Sequence, residues 1–251
     1  MPEQSPLANM SNHLSSKTFD GDIPDRPSAA IPPYLLATYW WAYIHPWGVR
    51  VFERQWLVNL ILWGNYRRLC DAVLHEYGQE VNEHTLQIAC AYGNLTPRLA
   101  ANAGAGGVLE VIDILPIQLK NLSRKLPQDG AVKLHCMDST ALEFPDQSFD
   151  RALLFFLLHE QPLAVRKKTL AEALRVIRPG GILTIVDYAG PGRFNPLRYL
   201  MAPMLALLEP YARDLWNEEV ISWLPCDANI TTVRKRRYFG GLYQMLTLKA
   251  G

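Results

Sequence analysis

The stretch Thr85-Leu-Gln-Ile-Ala-Cys-Ala-Tyr-Gly-Asn-Leu-Thr96 predicts an apolar strand, a turn of small residues and the start of a helix. A second strand is predicted at 108–112 and leads into Asp113, about 20 residues beyond the turn. In folds with this layout, backbone N–H groups at the helix start approach a ligand closely, and an acid after the second strand accepts hydrogen bonds from ribose hydroxyls. The stretch therefore predicts an α/β fold with a nucleotide-ribose pocket.

Strand and helix patterns continue to alternate after this stretch, which favours a doubly wound parallel sheet. Helices are expected at 115–126 and 163–177, and strands are expected at 131–137, 149–158 and 182–187. Apolar helices at about 193–224 are expected to form a lid over the substrate, and the tail at 230–249 alternates like a pair of strands. The predicted fold class is α/β and Rossmann-like, with helices on both faces of the sheet.

The bulk properties of the chain narrow the class of protein. Its 251 residues suit one large domain with an N-terminal elaboration, and a net charge of +1 gives no argument for a nucleic-acid partner. The basic run at 234–237 is either a solvated strand face or a contact for an anionic lipid or phosphate. Four scattered cysteines favour reduced thiols and a cytoplasmic location, and no signal peptide is recognisable.

Three segments are expected along the chain: a disordered tail at 1–30, an aromatic-rich helical cap at 31–80, and the Rossmann-like domain at 81–251. Pro46 and Gly48 interrupt the cap, so a membrane-spanning helix is not expected. The cap is expected to cover an apolar ligand or to rest on the inner membrane as a peripheral contact, or else simply to pack on the main domain. Five of the seven tryptophans lie in it, namely Trp40, Trp41, Trp47, Trp56 and Trp63.

A series of motifs resembles those of class I S-adenosylmethionine-dependent methyltransferases across residues 66–249. The motifs are the turn at 91–94, Asp113, Asp138-Ser139, and the segments 144–150, 174–181 and 238–243. The resemblance implies a mostly parallel seven-stranded sheet with an N-terminal helical extension. It also implies a pocket for S-adenosylmethionine formed by Ala89, Ala91, Gly93, Asp113, Ile114, Asp138 and Ser139.

Within that superfamily, Phe156-Leu-Leu-His-Glu160 resembles the quinone methyltransferases of ubiquinone and menaquinone synthesis. The aromatic stretch at 33–47 is similar to the RquA family of rhodoquinone biosynthesis. That resemblance implies conversion of ubiquinone into rhodoquinone, in which an amino group from S-adenosylmethionine replaces a ring methoxy group and manganese is the metal. Two alternatives stay open, a conventional quinone or phenol methyltransferase and a non-catalytic scaffold of a quinone-synthesis complex.

Two pocket residues carry specific predictions and an alternative each. Asp113 is expected to accept hydrogen bonds from both ribose hydroxyls, or else to be an acid favoured by a helix N-terminus. Asp138 is expected to bind the adenine amino group, with Ser139 as a second contact, or else to form an ordinary turn.

Gln87, Tyr92 and His159 are the catalytic candidates. Methyltransferases usually carry an acid at the position of Gln87, and a neutral amide there is predicted to let the methionine amino group lose its proton and act as a nucleophile. Tyr92 is expected to cover the methionine tail, to face the quinone or only to pack, and His159 to be a proton carrier, a metal ligand or a core histidine. The manganese ligands are not chosen among Asp138, His159, Glu160 and Asp187, and the oligomeric state is left open.

Overall fold

A computed structural model of the chain describes residue 23 and residues 30–78, 83–90, 92–102, 106–127 and 132–251. The tail expected at 1–30 therefore lies almost wholly outside the described residues. The division of the chain into a tail, a cap and a main domain stays a prediction.

Seven strands form one sheet in the order β3-β2-β1-β4-β5-β7-β6, and β1 to β5 run parallel while β7 is antiparallel to both of its neighbours. This confirms the predicted Rossmann-like methyltransferase fold. Because β1 lies between β2 and β4, the strand order reverses there and opens a crevice at the carboxyl ends of the strands. The strands are β1 His84–Ile88, β2 Val108–Asp113, β3 Val132–Cys136, β4 Phe149–Phe155, β5 Ile177–Tyr188, β6 Ile230–Tyr238 and β7 Tyr243–Ala250.

The helices that cover the sheet follow from local sequence signals. Helix α5 begins at Pro116, whose fixed φ and missing N–H suit the first helical position. Helix α6 buries one face, with Arg166, Leu170 and Ala173 spaced at helical intervals. Outside the N-terminal region the described helices are α4 Leu95–Asn102, α5 Pro116–Ser123, α6 Leu163–Val176, α7 Pro196–Leu208 and α8 Asp214–Asn217.

The N-terminal region forms a series of short helices. A π-helix, Leu35–Ile44, is followed by α1 Pro46–Phe52, α2 Gln55–Ile61 and α3 Tyr66–Tyr77. Pro46 takes the first position of α1, so the proline that interrupts the apolar stretch also begins a new helix. No helix in the described part of the chain is both long and apolar enough to cross a bilayer.

Two strand boundaries differ from the sequence prediction. Strand β5 begins at Ile177 rather than at 182, because Ile177 already pairs with Phe149 before an irregularity in the register. Strand β4 ends at Phe155 rather than continuing to 158, since Phe156 has a φ of 54° and leads into a short 3-10 helix, Leu158–Glu160. An unbroken apolar run does not reveal such a change in backbone conformation.

Candidate functional site

A cavity lies over the carboxyl ends of the central strands, where the strand order reverses. The strand ends form its floor, the N-terminal helices form an aromatic roof, and the segment after α7 contributes one acid. The polar and aromatic residues that line it include Tyr39, Tyr43, Tyr92, Asp113, Asp138, His159, Glu160 and Glu209.

Asp113 ends β2 and presents a carboxylate that backbone and thiol groups hold in place. Its Oδ2 accepts hydrogen bonds from the N–H and the thiol of Cys90 at 3.1 and 3.2 Å, and its Oδ1 accepts from the N–H of Leu115 at 2.9 Å. Burial raises the pKa of Asp113, while the Leu115 N–H acts in the opposite direction. Asp113 also lines the cavity, and its contact with a ribose stays a prediction.

Asp138, Ser139 and Ile114 line the same side of the cavity. The Asp138 Oδ1 accepts from the N–H of Thr140 at 2.8 Å, which is a turn that uses one of the two carboxylate oxygens. The Ser139 hydroxyl shares a hydrogen bond with Thr169 at 2.9 Å. The two alternatives for Asp138, a turn and a ligand contact, are therefore compatible.

The turn after β1 has an unusual backbone. Ala89 lines the cavity with a φ of 67°, in the left-handed region that favours glycine. Gly93 has a φ of 91°, and a Cβ there would lie 2.4 Å from the Tyr66 hydroxyl, so this position requires glycine. Gly93 is not among the residues that line the cavity, and Ala91 lies outside the described residues.

The sequence predicts that N–H groups at the start of α4 approach a ligand, but two of these groups bond to a side chain of the protein instead. The Tyr66 hydroxyl accepts hydrogen bonds from the N–H of Asn94 at 2.8 Å and from that of Leu95 at 3.1 Å. The same hydroxyl lies 3.2 Å from the Tyr92 carbonyl. A tyrosine from α3 thus caps this helix, which the small-residue pattern of the turn did not indicate.

Gln87, for which the sequence predicts a catalytic role, is not among the residues that line the cavity. It is fully buried on β1, where its Nε2 donates to the Ala89 carbonyl at 3.1 Å and its Oε1 accepts from the Thr96 hydroxyl at 2.9 Å. The amide braces the turn against α4. A Gln87→Glu change would set a carboxylate against that carbonyl oxygen, so its effect on the turn would mask any effect on a donor amine.

Tyr92 lines the cavity and joins the turn to the N-terminal helices. Its ring stacks on Tyr43 with a centroid distance of 5.4 Å and an interplanar angle of 10°. Its hydroxyl donates to the Ala42 carbonyl at 2.6 Å and accepts from the Gln118 amide at 2.8 Å. These contacts agree with the packing alternative and leave Tyr92 as a wall of the cavity.

His159 is oriented by Asp187, which is fully buried at the end of β5. The His159 Nδ1 lies 3.0 Å from Asp187 Oδ1, while Oδ2 of Asp187 accepts from the N–H of Leu158 at 2.8 Å. Burial alone would lower the pKa of His159, but the Asp187 carboxylate raises it to about 9. The imidazole is therefore a cation at neutral pH, and it belongs to the cavity wall.

Two glutamates lie near the other ring nitrogen of His159. The His159 Nε2 is 3.8 Å from Glu160 Oε1 and 3.9 Å from Glu209 Oε2, both longer than a hydrogen bond. The Tyr43 hydroxyl donates to Glu160, and the Tyr39 hydroxyl donates to Glu209 at 2.8 Å. Burial raises the pKa of Glu160 to about 8 and also raises that of Glu209. We call His159, Glu160 and Glu209 the polar end of the cavity.

The expected manganese site is not formed by the described residues. They contain no group of three histidine, cysteine, aspartate or glutamate side chains placed to hold a metal ion. Glu160 and Glu209 are each bonded by a tyrosine hydroxyl, and Asp187 is committed to His159. An imidazole with two carboxylates is a donor set that suits manganese, but these groups are arranged as a hydrogen-bonded cluster.

Sequence reasoning missed Tyr39, Tyr43 and Glu209 as functional residues. The two tyrosines lay within an aromatic stretch whose periodicity did not separate cavity-facing from exposed rings. Glu209 carried a signal, since it is the lone acid between residues 188 and 213 and follows directly on the apolar helix α7.

A family model described as "Methyltransferase domain" matches residues 85–181. Residues 85–181 are therefore similar to that family, and we call them the methyltransferase-like segment. It contains Asp113, Asp138, His159 and Glu160, whereas the roof residues and Glu209 lie outside it. The methyltransferase-like segment therefore supplies the floor of the cavity, and residues on either side of that segment complete the cavity.

Relatives extend the similarity to proteins that act on quinones. An uncharacterised methyltransferase of Synechocystis sp. is 27% identical over 84% of this chain and 94% of that protein. The ubiquinone/menaquinone biosynthesis C-methyltransferase UbiE of Ectopseudomonas mendocina is 32% identical over 56% of this chain and 55% of its own length. The 2-methyl-6-phytyl-1,4-hydroquinone methyltransferase of Synechocystis sp. is 33% identical over 49% of this chain and 38% of its own length. The chain thus spans about half, or less, of the length of these two quinone enzymes.

Two solved structures share the fold of this chain. A SAM-dependent methyltransferase from Methanosarcina mazei has a TM-score of 0.52 and 21% identity, covering 71% of this chain and 96% of that one. The [4+2]-cyclase SpnF has a TM-score of 0.53 and 19% identity, and the match covers 73% of this chain and 80% of that one. At these identities the likeness shows the fold alone, and the name of the second protein illustrates that a fold does not fix the reaction.

Proposed function

We propose that the protein is an S-adenosylmethionine-dependent transferase that acts on the ring of a ubiquinone-type lipid quinone and converts it into rhodoquinone. The observation that carries the proposal is the shared cavity. It places Asp113 and Asp138 at strand ends, an aromatic roof above them, and the polar end at His159 in one space. A nucleoside-containing donor and a ring with polar substituents are the two kinds of ligand that such a space suits.

The donor site fits the residues at the ends of β2 and β3. Asp113 has a carboxylate already positioned by three hydrogen bonds, and its thiol partner Cys90 lines the same cavity. In the proposal, sugar hydroxyls bond to this carboxylate, and Asp138 accepts from the adenine amino group through the oxygen that the turn does not use. S-adenosylmethionine, when bound, would supply the nitrogen that replaces the methoxy group. The bond between this nitrogen and the ring would form as methanol leaves, and the bond from the nitrogen to the donor's α-carbon would then break with loss of a proton from the adjacent carbon, so that an amino group stays on the ring.

The polar end fits the oxygens of a quinone ring. The His159 Nε2–H, charged at neutral pH, points toward Glu160 and Glu209 without being within hydrogen-bond length of either. In the proposal it donates to a ring carbonyl and so makes the methoxy-bearing carbon more electrophilic. Asp187 keeps the imidazole in this orientation. Loss of the methoxy group as methanol needs a proton on its oxygen. Burial raises the pKa of Glu160 to about 8, so its carboxyl group is protonated at neutral pH and would supply that proton in the proposal.

Two features favour amino transfer over methyl transfer: the resemblance to the RquA family, and the residue type at position 87 on strand β1. Strand β1 carries the amide of Gln87 where methyltransferases usually have an acid, so this position offers no carboxylate to keep a methionine amine protonated. The resemblance also implies manganese, for which the described residues form no site.

A conventional quinone methyltransferase is the second candidate function. The observation that favours it is the similarity of roughly half of the chain to UbiE and to a phytyl-hydroquinone methyltransferase. In that reaction a carboxylate of the polar end, in its deprotonated form, would accept the proton that leaves the ring as a methyl group is added.

Product mass separates these functions. The protein is incubated with S-adenosylmethionine and a short-chain ubiquinone analogue, with and without manganese, and the quinone is measured by mass spectrometry. The proposal expects a lighter quinone, in which an amino group has replaced a methoxy group. A heavier product from a demethylated acceptor would support the second candidate, and unchanged quinones under all conditions would contradict both.

A further inference from the structure

An unusually apolar surface surrounds the roof of the cavity. Trp47 is 67% exposed, Trp56 62% and Leu60 64%, and Trp40, Trp41 and Trp63 are exposed beside them. Scattered exposed apolar residues are normal on soluble proteins, but tryptophans concentrated on consecutive short helices are not. We call these six residues the tryptophan surface.

Helix α7 has a second exposed apolar face. Met201 and Leu205 bury one side of the helix, while Leu200, Leu207 and Leu208 are exposed on the remainder. Phe194, just before the helix, is 91% exposed. The end of α7 meets the π-helix, because Tyr39 donates to Glu209 and the ring of Tyr34 packs edge-on against Tyr211 at 6.5 Å.

The charged residues of these helices are mainly basic. Between residues 31 and 70 the only acid is Glu53, and it is paired with Lys125 at 2.5 Å. Arg50 and Arg54 are exposed in the same region, and Arg193 is exposed beside Phe194. Residues 188–208 contain no acid at all. An anionic surface would meet apolar side chains flanked by arginines and no opposing carboxylate.

The cavity opens onto this surface. Trp41 and Ile61 both line the cavity and are among the exposed large apolar residues. Val58 and Leu62 continue the apolar wall inward from α2 and the turn after it. An apolar path therefore connects the exterior of the tryptophan surface with the interior of the site.

We infer that the tryptophan surface and α7 dock the protein on the surface of an anionic bilayer, and that a lipid substrate enters the cavity sideways past Trp41 and Ile61. Tryptophan-rich helices flanked by arginines are characteristic of segments that lie in the headgroup region. The described helices are too short to cross the bilayer, so they would lie on it. Docking stands without the proposed function, whereas the identity of the entering lipid as a quinone rests on it.

Vesicle flotation tests docking in the absence of quinone and cofactor. The full chain is mixed with phosphatidylcholine vesicles with and without phosphatidylglycerol. We expect the protein to float with the anionic vesicles. The double variant Trp47→Glu/Leu60→Glu should lower the partition coefficient at least about tenfold, because it replaces two exposed apolar side chains by carboxylates. Neither side chain lines the cavity, so the site itself is left intact. Val233→Glu is the matched control, because Val233 is an exposed apolar residue on β6, and it should bind like the native protein.

Leu207→Glu on α7 provides an independent variant that is also expected to weaken flotation, and thermal melting verifies that each variant is folded. Turnover of a water-soluble short-chain quinone should be unchanged in these variants, while turnover of a long-tailed quinone in vesicles should fall. If the native protein floats with neither vesicle, or if both variants bind as well as Val233→Glu, the inference is overturned. A dimer that dissociates in the double variant, without vesicle binding, would instead assign the surface to a second copy of the chain.

Discussion

Asp113 is the residue on which the donor site depends most. An asparagine there keeps the size of the side chain but loses one charged acceptor and turns an amide toward existing donors such as the Cys90 N–H. Hydrogen bonds to a charged group contribute roughly 1.5–3 kcal/mol. Asp113→Asn should therefore weaken S-adenosylmethionine binding about 10- to 100-fold in calorimetry. Asp227→Asn, at an exposed loop position, should leave the affinity unchanged, and equal affinities in both variants would remove Asp113 from the site.

The buried polar end should make stability fall as the pH rises. The pKa of Glu160 is raised from 4.5 to about 8, so its contribution is complete below pH 4.5 and is lost as the pH rises through 8. The pKa of His159 is raised from 6.5 to about 9, so its contribution is complete below pH 6.5 and is lost as the pH rises through 9. Both groups favour the protonated folded state.

Glu160→Gln tests this linkage because glutamine imitates the neutral carboxyl group. The native protein should lose thermal stability between pH 6.5 and 9, and the variant should lose less over the same range, since the contribution of Glu160 is then absent. Melting temperatures measured at intervals across this range provide the comparison. Glu143→Gln, at an exposed acid, should behave like the native protein. Parallel curves for Glu160→Gln and the native protein would contradict a buried, protonated Glu160.

The start of helix α4 depends on a tyrosine from helix α3. The Tyr66 hydroxyl accepts from two backbone N–H groups, and Tyr66→Phe would leave both without this acceptor inside the protein. A buried donor that loses its partner costs about 1–3 kcal/mol. Tyr66→Phe should lower the free energy of unfolding by about that amount, measured by urea denaturation.

Tyr243→Phe is a matched control for this prediction. Tyr243 is also a fully buried tyrosine, but its hydroxyl has no hydrogen-bond partner among the described residues. Removing an unsatisfied buried hydroxyl should be neutral or slightly stabilising. A larger loss of stability in Tyr243→Phe than in Tyr66→Phe would show that the helix cap is not the important contact.

The sequence predicted those features that depend on local pattern. The strand and turn at 84–93, the acid at the end of β2 and the final strand pair follow from alternation, small residues and spacing. The start of β5 and the end of β4 could not be predicted, because Ile177 pairs before an irregularity and Phe156 adopts a positive φ within an apolar run. The burial of Gln87 away from the cavity could not be predicted from the sequence either, because an amide side chain can bind a ligand or stabilise a buried turn equally well.

The assembled cavity was beyond sequence reasoning for a different reason. Tyr39 and Glu209 are separated by 170 residues, and Tyr43 and Glu160 by 117, yet each pair forms a hydrogen bond across the cavity. Contacts at such separations are set by how the N-terminal helices and the α7 segment fold over the sheet. The methyltransferase-like segment alone therefore carries the proposed donor site, whereas the polar end and its roof need residues from outside that segment.

The destination of the nitrogen in S-adenosylmethionine tests the whole account most directly. The native protein is given S-adenosylmethionine labelled with heavy nitrogen in its amino group, together with a ubiquinone analogue, and the quinone product is examined by mass spectrometry. The account predicts a quinone that has lost a methoxy group and carries the heavy nitrogen on its ring. An aminoquinone without the heavy nitrogen, or a quinone that is left unchanged, would contradict this origin of the nitrogen.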